Sequence, residues 1–514
     1  MNPPNLMMRI MFSPLLLSIS LQAGTYNVKD FGAVGDGKTI NTTAIQNAIN
    51  QCRDNGGGTV IIPSGIFVTG VIRLYSNINL HLEIGAALKG SANLADYNLN
   101  GQRVGMIYTE YADNVAITGV GTIDGNGDIF MDLTKAKKID FEGSKYTRQK
   151  EHFREVKEGV ADGPVVPLER PFQMIIFSVC KNVTVRDVMI TNSPFWTIHF
   201  ADCDGVIVSG IKIWNSLLVP NNDGLDFTSC SNVLISDCDI RCGDDGLVFT
   251  GYDHHFDLPG YKYLKHDSEN INVTNCNLVS RSSGIRIGGL DQNSMRNYNF
   301  SNITISNSNR GIGLFVRDKG SIEDMTFTNI VIKTRLHTGD WWGQGEPIHL
   351  SAVRLTKEVT LGKLRNIKFL NIICRSESGI LVYGSDESVI ENVSFNGISL
   401  HIADGGLNDV AGGNFDLRPV LDPALQLFAH DIPAFYAQHV SNLTIDDFDL
   451  TWDEVRNHFF THGIEMQNFE NVTVNRFSGA QAPSNPKAFP LLVANGIGFK
   501  TDLSKELYSK RNVK

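Results

Sequence analysis

Asp223 stands in the run Asn221-Asn222-Asp223-Gly224, and Asp244 and Asp245 stand side by side in Gly243-Asp244-Asp245-Gly246, 21 residues further on (244 − 223). Neighbouring carboxylates raise each other's pKa, so keeping three of them close carries an electrostatic cost. Acid–base catalysis uses that cost: one carboxyl stays protonated as a general acid while another stays ionised as a base. Hydrolysis of a glycosidic bond needs such a pair, spaced ~6.5–9.5 Å for inversion or ~5–5.5 Å for retention. Asp-Gly steps also form ordinary turns, and Asp124, Asp204 and Asp404 read that way. Calcium binding is the weaker use of the three acids, which do not fall at the spacing of a ligand loop. No metal site is assigned.

For these acids to meet, the chain must bring distant turns together. A four-residue phrase recurs from Asn114 onward: NVAI at 114, NVTV at 182, NVLI at 232, NINV at 270, NITI at 302, NIKF at 366, NVSF at 392, NLTI at 442 and NVTV at 471. Each alternates apolar and polar side chains with period two and is followed by Gly, Asn, Asp or Ser. Steps such as 26 (392 − 366) and 29 (471 − 442) predict a solenoid of short strands rather than a sandwich. The expected fold is therefore all-β, a right-handed parallel β-helix. One coil of about 21 residues would place Asp223 and the Asp244–Asp245 pair on one face of adjacent coils, whose strands lie ~4.8 Å apart. The recurrent Asn residues are expected to stack as amide ladders, which accounts for the N-x-S/T patterns at Asn182, Asn302, Asn442 and Asn471 better than glycosylation does. Helical periodicity is confined mainly to Asn41–Cys52, where Thr42 or Thr43 is the expected cap of a short N-terminal helix. Met131–Pro167, Tyr252–Asp267 and His401–His439 break the rhythm and are expected to form loops lining a cleft.

The bulk composition limits the function classes. The chain has 514 residues, 42% hydrophobic and 19% charged, enough to bury a large core. A net charge of −10 argues against a general nucleic-acid binder but leaves room for a local basic cleft. Arg9, the apolar run Ile10–Leu21 and the small residues Ser20, Ala23 and Gly24 read as a signal peptide over residues 1–23, with one domain over 24–514. No later stretch is long enough to span a bilayer. Eight cysteines are few for an exported chain of this size; they are expected to be small buried side chains with one or two bridges.

Several runs together resemble one family. VKDFGAVGDGKTINTTAIQNAI from Val28, RPFQMIIFSVCKNVTV from Arg170, NSPFWTIHF from Asn192, then NNDG, CGDDG and VRDKG from Val316, are similar to the polygalacturonase family, family 28 of the glycoside hydrolases. The opening run is shared by other exported β-helix proteins, whereas the ordered set NxD, GDD and RxK is specific. The resemblance implies that Asp244 is the general acid and that Asp223 and Asp245 hold and activate the attacking water, giving inversion without a cofactor. It also implies that Arg317 and Lys319 bind a substrate carboxylate and that Asn221 belongs to the site. One motif departs. Where the family has Gly-His-Gly, this chain reads RSSGIRIGG, with Ser283 at the position of the histidine. Arg286, three residues on, is a candidate to supply a cation to the same groove.

In TGDWWGQGEPIHL, Thr338–Leu350, which follows the RxK coil, Trp341 and Trp342 stand between glycines, and at least one is expected to form a sugar subsite; Glu346 is expected to bond a hydroxyl there. His254 is a further candidate lining residue, with His255 beside it. The expected protein is a secreted or periplasmic monomer that hydrolyses an anionic, pectin-type polysaccharide or oligosaccharide, with exo action implied by a cleft closed on one side. The rival readings are hydrolysis of rhamnogalacturonan or another anionic polysaccharide, a polysaccharide lyase, and a non-catalytic glycan-binding β-helix.

Overall fold

The computed structural model describes residues 24–138, 142–155, 160–251 and 266–514. The chain winds as a right-handed parallel β-helix, each strand pairing in parallel with the corresponding strand one coil away. Three consecutive coils show the pattern. Ile198–Ala201, Leu225–Thr228 and Leu247–Thr250 form one row; Asp204–Ser209, Ser231–Ser236 and Ser268–Thr274 form the second; Lys212–Trp214, Asp239–Cys242 and Asn277–Ser280 form the third. Further along, the second and third rows merge into long bent strands such as Met295–Ser308 and Ile322–Thr334.

Period-two alternation sends one set of side chains inward, where the constant register stacks them. Phe177, Phe200, Phe227 and Phe249 stack face to face with ring centroids 5.3, 4.8 and 5.3 Å apart. A second column runs through Phe300, Phe327, Phe369 and Phe395. Truncating a central member such as Phe227 to Ala would cost about 3–5 kcal/mol.

At the corners, the recurrent Asn residues take the left-handed conformation, with φ 54° at Asn182, 56° at Asn232 and 61° at Asn270. Their amides form the expected ladders, Asn182 to Asn114 at 3.1 Å and Asn270 to Asn232 at 3.2 Å. Asn tolerates this backbone because its short polar side chain can bond locally.

The N-terminal helix, Thr42–Asp54, buries Ile45, Ala48, Ile49 and Cys52 over the first coil. Its cap differs from expectation. Asn41 occupies the N-cap position without a side-chain cap bond. Thr42 instead accepts from the Gly70 N–H at 2.8 Å, tying the helix to a neighbouring coil. All eight cysteines are buried and free, so the expected bridges are absent. Cys203 and Cys230 donate to carbonyls of the coil before them, Phe177 and Phe200, each at 3.3 Å.

Two of the rhythm-breaking stretches dock on each other. The first carries an antiparallel hairpin of Met131–Ala136 with Val165–Pro167; the third carries one of Asn414–Asp416 with Leu427–Ala429. Arg148 joins them, its N–H donating to Asn414 Oδ1 at 2.9 Å and its Nε to the Gly413 carbonyl at 2.7 Å. Most of the remaining stretch, Tyr252–Asp267, lies outside the described residues. Among the described residues no helix is long and apolar enough to cross a membrane.

Candidate active site

Asp223 and Asp245 each sit two residues before a strand of the first row. Leu225 lies opposite Leu247, so the coil is 22 residues long here (247 − 225), and the counterpart of Asp223 in register is Asp245 rather than Asp244. The Gly224 N–H donates to the Asp245 carbonyl at 2.9 Å. A Cβ on Gly224 would lie 2.3 Å from the Gly246 carbonyl oxygen, so close approach of the two coils is what requires glycine. Asn222 is buried and locks the turn by accepting from the Gly243 N–H at 2.5 Å and donating to the Ser216 carbonyl at 2.8 Å.

This scaffold brings one oxygen from each of Asp223, Asp244 and Asp245 within 4.8 Å of the others. Asp223 and Asp245 are buried, and Asp244 is part-exposed. Asp244 accepts from the Asn221 N–H at 3.1 Å; Asp245 accepts from the Ser283 N–H at 2.7 Å and from Arg286 Nη1 at 3.2 Å. Burial, reinforced by the charge of Asp245, pushes the Asp244 carboxyl up to about 7. Burial also lifts Asp223 well above the ordinary carboxylate range, with Asp244 as the next cause. Asp223 Oδ1 has no hydrogen-bond partner within the described protein. The arrangement therefore holds a carboxyl that can give a proton near neutrality beside acceptor oxygens free to bind a small molecule. Three carboxylate oxygens this close are also a geometry a divalent cation could bridge; the Arg286 guanidinium already supplies a positive charge there.

The pocket above these acids has a volume of about 250 Å³. Asn221, Asp223, Asp244, Arg286, Trp341 and Trp342 line it, joined by Trp196, Lys137 and Asp340. Arg286 lies beneath Trp342, 5.4 Å from its ring centroid. Trp341 is buried and donates to the Asp162 carbonyl at 3.1 Å, whereas Trp342 is only part-buried.

Three candidates lie elsewhere. The strand before Arg317 ends at Val316, and the N–H groups of Arg317 and Asp318 turn onto the Asp291 carboxylate. Two residues apart therefore no longer means one face. Arg317 is fully buried, donating to the carbonyls of Pro419, Val316, Ser351 and Leu417 and to Ser351 Oγ, while Lys319 is exposed. Neither lines the pocket. Glu346 is buried as well, accepting from Arg310 Nε at 2.5 Å with His349 Nδ1 at 3.1 Å. Its carboxylate supports the wall from behind and does not reach the cavity. His254 and His255 lie outside the described residues.

The geometry adds residues that the sequence reading missed. Asp226 faces the same side as Arg286, in the ladder Asp226–Val248–Arg286. Burial raises its carboxyl well above the ordinary range, and the charge of Asp245 adds to this. Alternation within Leu225–Thr228 would have marked it as outward-facing. Arg170 Nη2 donates to Asn221 Oδ1 at 2.8 Å, and its Nη1 holds the Pro194 and Pro220 carbonyls, fixing the residue that bonds Asp244.

The fold is a parallel β-helix carrying an acidic cluster in a pocket on its first row, and comparison with known proteins gives the family. The model of Glycosyl hydrolases family 28 matches residues 52–407, and the chain belongs to that family. An exo-poly-alpha-D-galacturonosidase of Dickeya chrysanthemi is 29% identical over 256 residues, covering 43% of this chain and 41% of the relative. An exopolygalacturonase of Zea mays is 24% identical over 283 residues, covering 51% and 62%. The chain thus spans about half the length of the curated relatives it matches. Among solved structures, the family 28 exopolygalacturonase of Yersinia enterocolitica superposes with a TM-score of 0.62 at 18% identity, covering 88% of this chain and 78% of that one. An exopolygalacturonase of Thermotoga maritima gives 0.52 at 23%, covering 90% and 93%. At these identities the structural likeness speaks to the fold.

Proposed function

We propose that the protein is an inverting glycoside hydrolase that removes galacturonic acid residues from the ends of pectin-type chains. The observation that carries this reading is the Asp244 carboxyl, lifted to about 7 at the floor of a pocket of about 250 Å³. Protonated Asp244 gives its proton to the glycosidic oxygen as the bond to the anomeric carbon breaks. Asp223 orients a water against that carbon, and Asp245, paired with Arg286, takes up its proton. The nearest oxygens, within 4.8 Å, are closer than the ~6.5–9.5 Å usual for inverting pairs. Inversion then requires the two carboxylates to hold the water jointly beside Asp244, rather than between a single acid and a single base.

The volume supports exo action, being below the ~300–1,000 Å³ of pockets that take drug-sized ligands. It suits one or two sugar rings, with the docked loops closing one end. The names of the Dickeya and Zea relatives point to the same substrate and mode. Such a polymer is met outside the cytoplasm, so the proposal includes export; residues 1–23, read as the signal peptide, lie outside the described residues.

The test is incubation with polygalacturonan, rhamnogalacturonan and a neutral galactan, with and without EDTA, with chromatography of the products, ultraviolet absorbance for unsaturated ends and proton NMR of the first anomer released. Galacturonate alone, released from polygalacturonan as the inverted anomer, is expected. A mixed ladder of oligomers overturns exo action, the retained anomer overturns the water assignment, and a chelator-sensitive unsaturated product overturns hydrolysis.

A further inference from the structure

With Arg317 enclosed and Lys319 outside, the pocket must meet a uronic acid carboxylate with another cation. Arg286 is a poor choice. It lies at the acidic end, bonded to Asp245 at 3.2 Å and covered by Trp342. A substrate carboxylate drawn to Arg286 would enter the field of Asp223, Asp244, Asp245 and Asp226.

We propose that Lys137, on the opposite lip, forms the carboxylate subsite that selects a uronic acid over the neutral sugar; this rests on the hydrolase reading above. Lys137 follows the strand Met131–Ala136, in which Ala136 pairs with Val165. Its N–H donates to the carbonyl of Pro164 at 2.7 Å, and Pro164 is itself a wall residue. The backbone is thereby fixed at the pocket edge, while the side chain is 48% exposed. A lysine so placed swings a compact ammonium over a fixed base.

Charge on this lip leaves room for an anion. Lys137 Nζ lies 3.5 Å from Asp340 Oδ2, a long contact, while Asp340 Oδ1 accepts from Arg418 Nη1 at 3.1 Å. Arg418 also bonds both oxygens of Asp416 and, together with Arg154, the carbonyl of Trp341. Three cations, Lys137, Arg154 and Arg418, thus face two carboxylates, Asp340 and Asp416. When Lys137 turns to a substrate carboxylate, Asp340 keeps Arg418, so no buried charge is stranded. The pocket is polarised, acidic at the floor and cationic at the lip. That field orients a uronic acid with its carboxylate towards Lys137 and its glycosidic oxygen towards Asp244.

Two readouts test this. The first is kinetics of the full-length protein, with Lys137→Met and Lys137→Arg assayed on digalacturonate and on its methyl ester, and thermal midpoints as a control. For Lys137→Met, KM for digalacturonate is expected to rise about 10- to 100-fold with kcat within about threefold. The ester should be handled as by wild type, and Lys137→Arg should restore most of the affinity. The second is calorimetric binding of galacturonate to Asp244→Asn protein with and without Lys137→Met. Unchanged KM and unchanged binding overturn the assignment. Lys137-dependent binding without any uronide cleavage by wild type upholds the subsite and overturns the hydrolase reading. Equal losses on the ester and the acid, or a failure of Lys137→Arg to rescue, reduce Lys137 to a structural part of the lip and overturn the proposal.

Discussion

Two clusters of charge lie within a few coils of each other and are built on opposite terms. In the wall, Arg310 meets Glu346, and Arg418 meets both oxygens of Asp416. There, despite burial, Arg418 holds the Asp416 carboxyl far below its ordinary range, and Arg310 with His349 lowers Glu346. At the floor of the pocket, four carboxylates share Arg286, and burial with mutual repulsion raises Asp223, Asp226 and Asp244. In the wall each carboxylate has its own guanidinium partner; at the floor Asp223 Oδ1 and Asp226 Oδ2 are left open. A raised carboxyl alone does not mark the site, since burial also lifts Asp291 to about 7. Asp291 is occupied by the N–H groups of Arg317 and Asp318 and lines none of the pocket. What separates floor from wall is an unoccupied oxygen beside a cavity.

The sharpest way to break that contrast is Asp244→Asn. Turnover should fall by roughly 10³-fold or more with substrate binding kept, because the general acid is gone. Stability should move the other way. The unfolded carboxyl ionises near 3.8 and the folded one near 7, so the stability given by the protonated form is full below 3.8 and is lost as pH rises through about 7. The variant removes this loss. Its unfolding free energy should match wild type at pH 3.5 and exceed it above pH 7 by roughly 1–3 kcal/mol, less than the full shift because Asp244 is part-exposed, with the thermal midpoint higher in step. The wild-type rate should decline above about pH 7. A variant less stable than wild type at pH 8 would contradict the floor as described.

In the wall, the effect should be on folding. Arg317→Met leaves the buried carbonyls of Pro419, Val316, Ser351 and Leu417 and Ser351 Oγ without their donor and should cost about 3–5 kcal/mol, read by chemical denaturation. The kcat of whatever remains folded should be unchanged. The adjacent tryptophans should divide along the same line. Trp342→Ala removes a face over Arg286 and should raise KM about tenfold, roughly 1.4 kcal/mol, with little change in midpoint. Trp341→Ala, in the wall, should lower the midpoint instead. Equal effects from the pair would erase the distinction.

The repeat and the pocket acids were legible because both depend on period. A phrase returning every coil encodes a solenoid, and a one-coil gap encodes contact between Asp223 and the Asp244–Asp245 pair. The coil is 22 residues here rather than about 21, so within that pair it is Asp245 that stands in register with Asp223. Periodicity fails where the strand stops. At Val316 the chain turns, so Arg317 goes in and Lys319 goes out, and alternation no longer applies. Lys137 and Asp340 carried no signal, because their meeting depends on the Met131–Pro167 stretch reaching the loop between Thr334 and Ile348, more than two hundred residues away in sequence (340 − 137). Ser283 is intermediate. Its departure from the family pattern was visible, but only the fold shows that it gives Asp245 a backbone N–H and leaves the cationic role to Arg286.

The smallest expected effect is the most discriminating about motif and geometry. The resemblance implied a carboxylate-binding role for Lys319, yet it is exposed outside the pocket, with its N–H turned to Asp318 Oδ1 at 2.7 Å. Lys319→Ala should therefore change kcat/KM on digalacturonate by less than about twofold and leave the thermal midpoint in place, as for a solvated surface charge. Parallel assays of Lys319→Ala and Lys137→Met at low and high salt decide between them. Loss at Lys137 with silence at Lys319 means that the anion-binding role has moved from the coil to the inserted loop. A tenfold loss at Lys319 would instead require the turn after Val316 to unpack Arg317 from five bonds when substrate binds, and the thermal midpoint of the bound enzyme would then expose that cost.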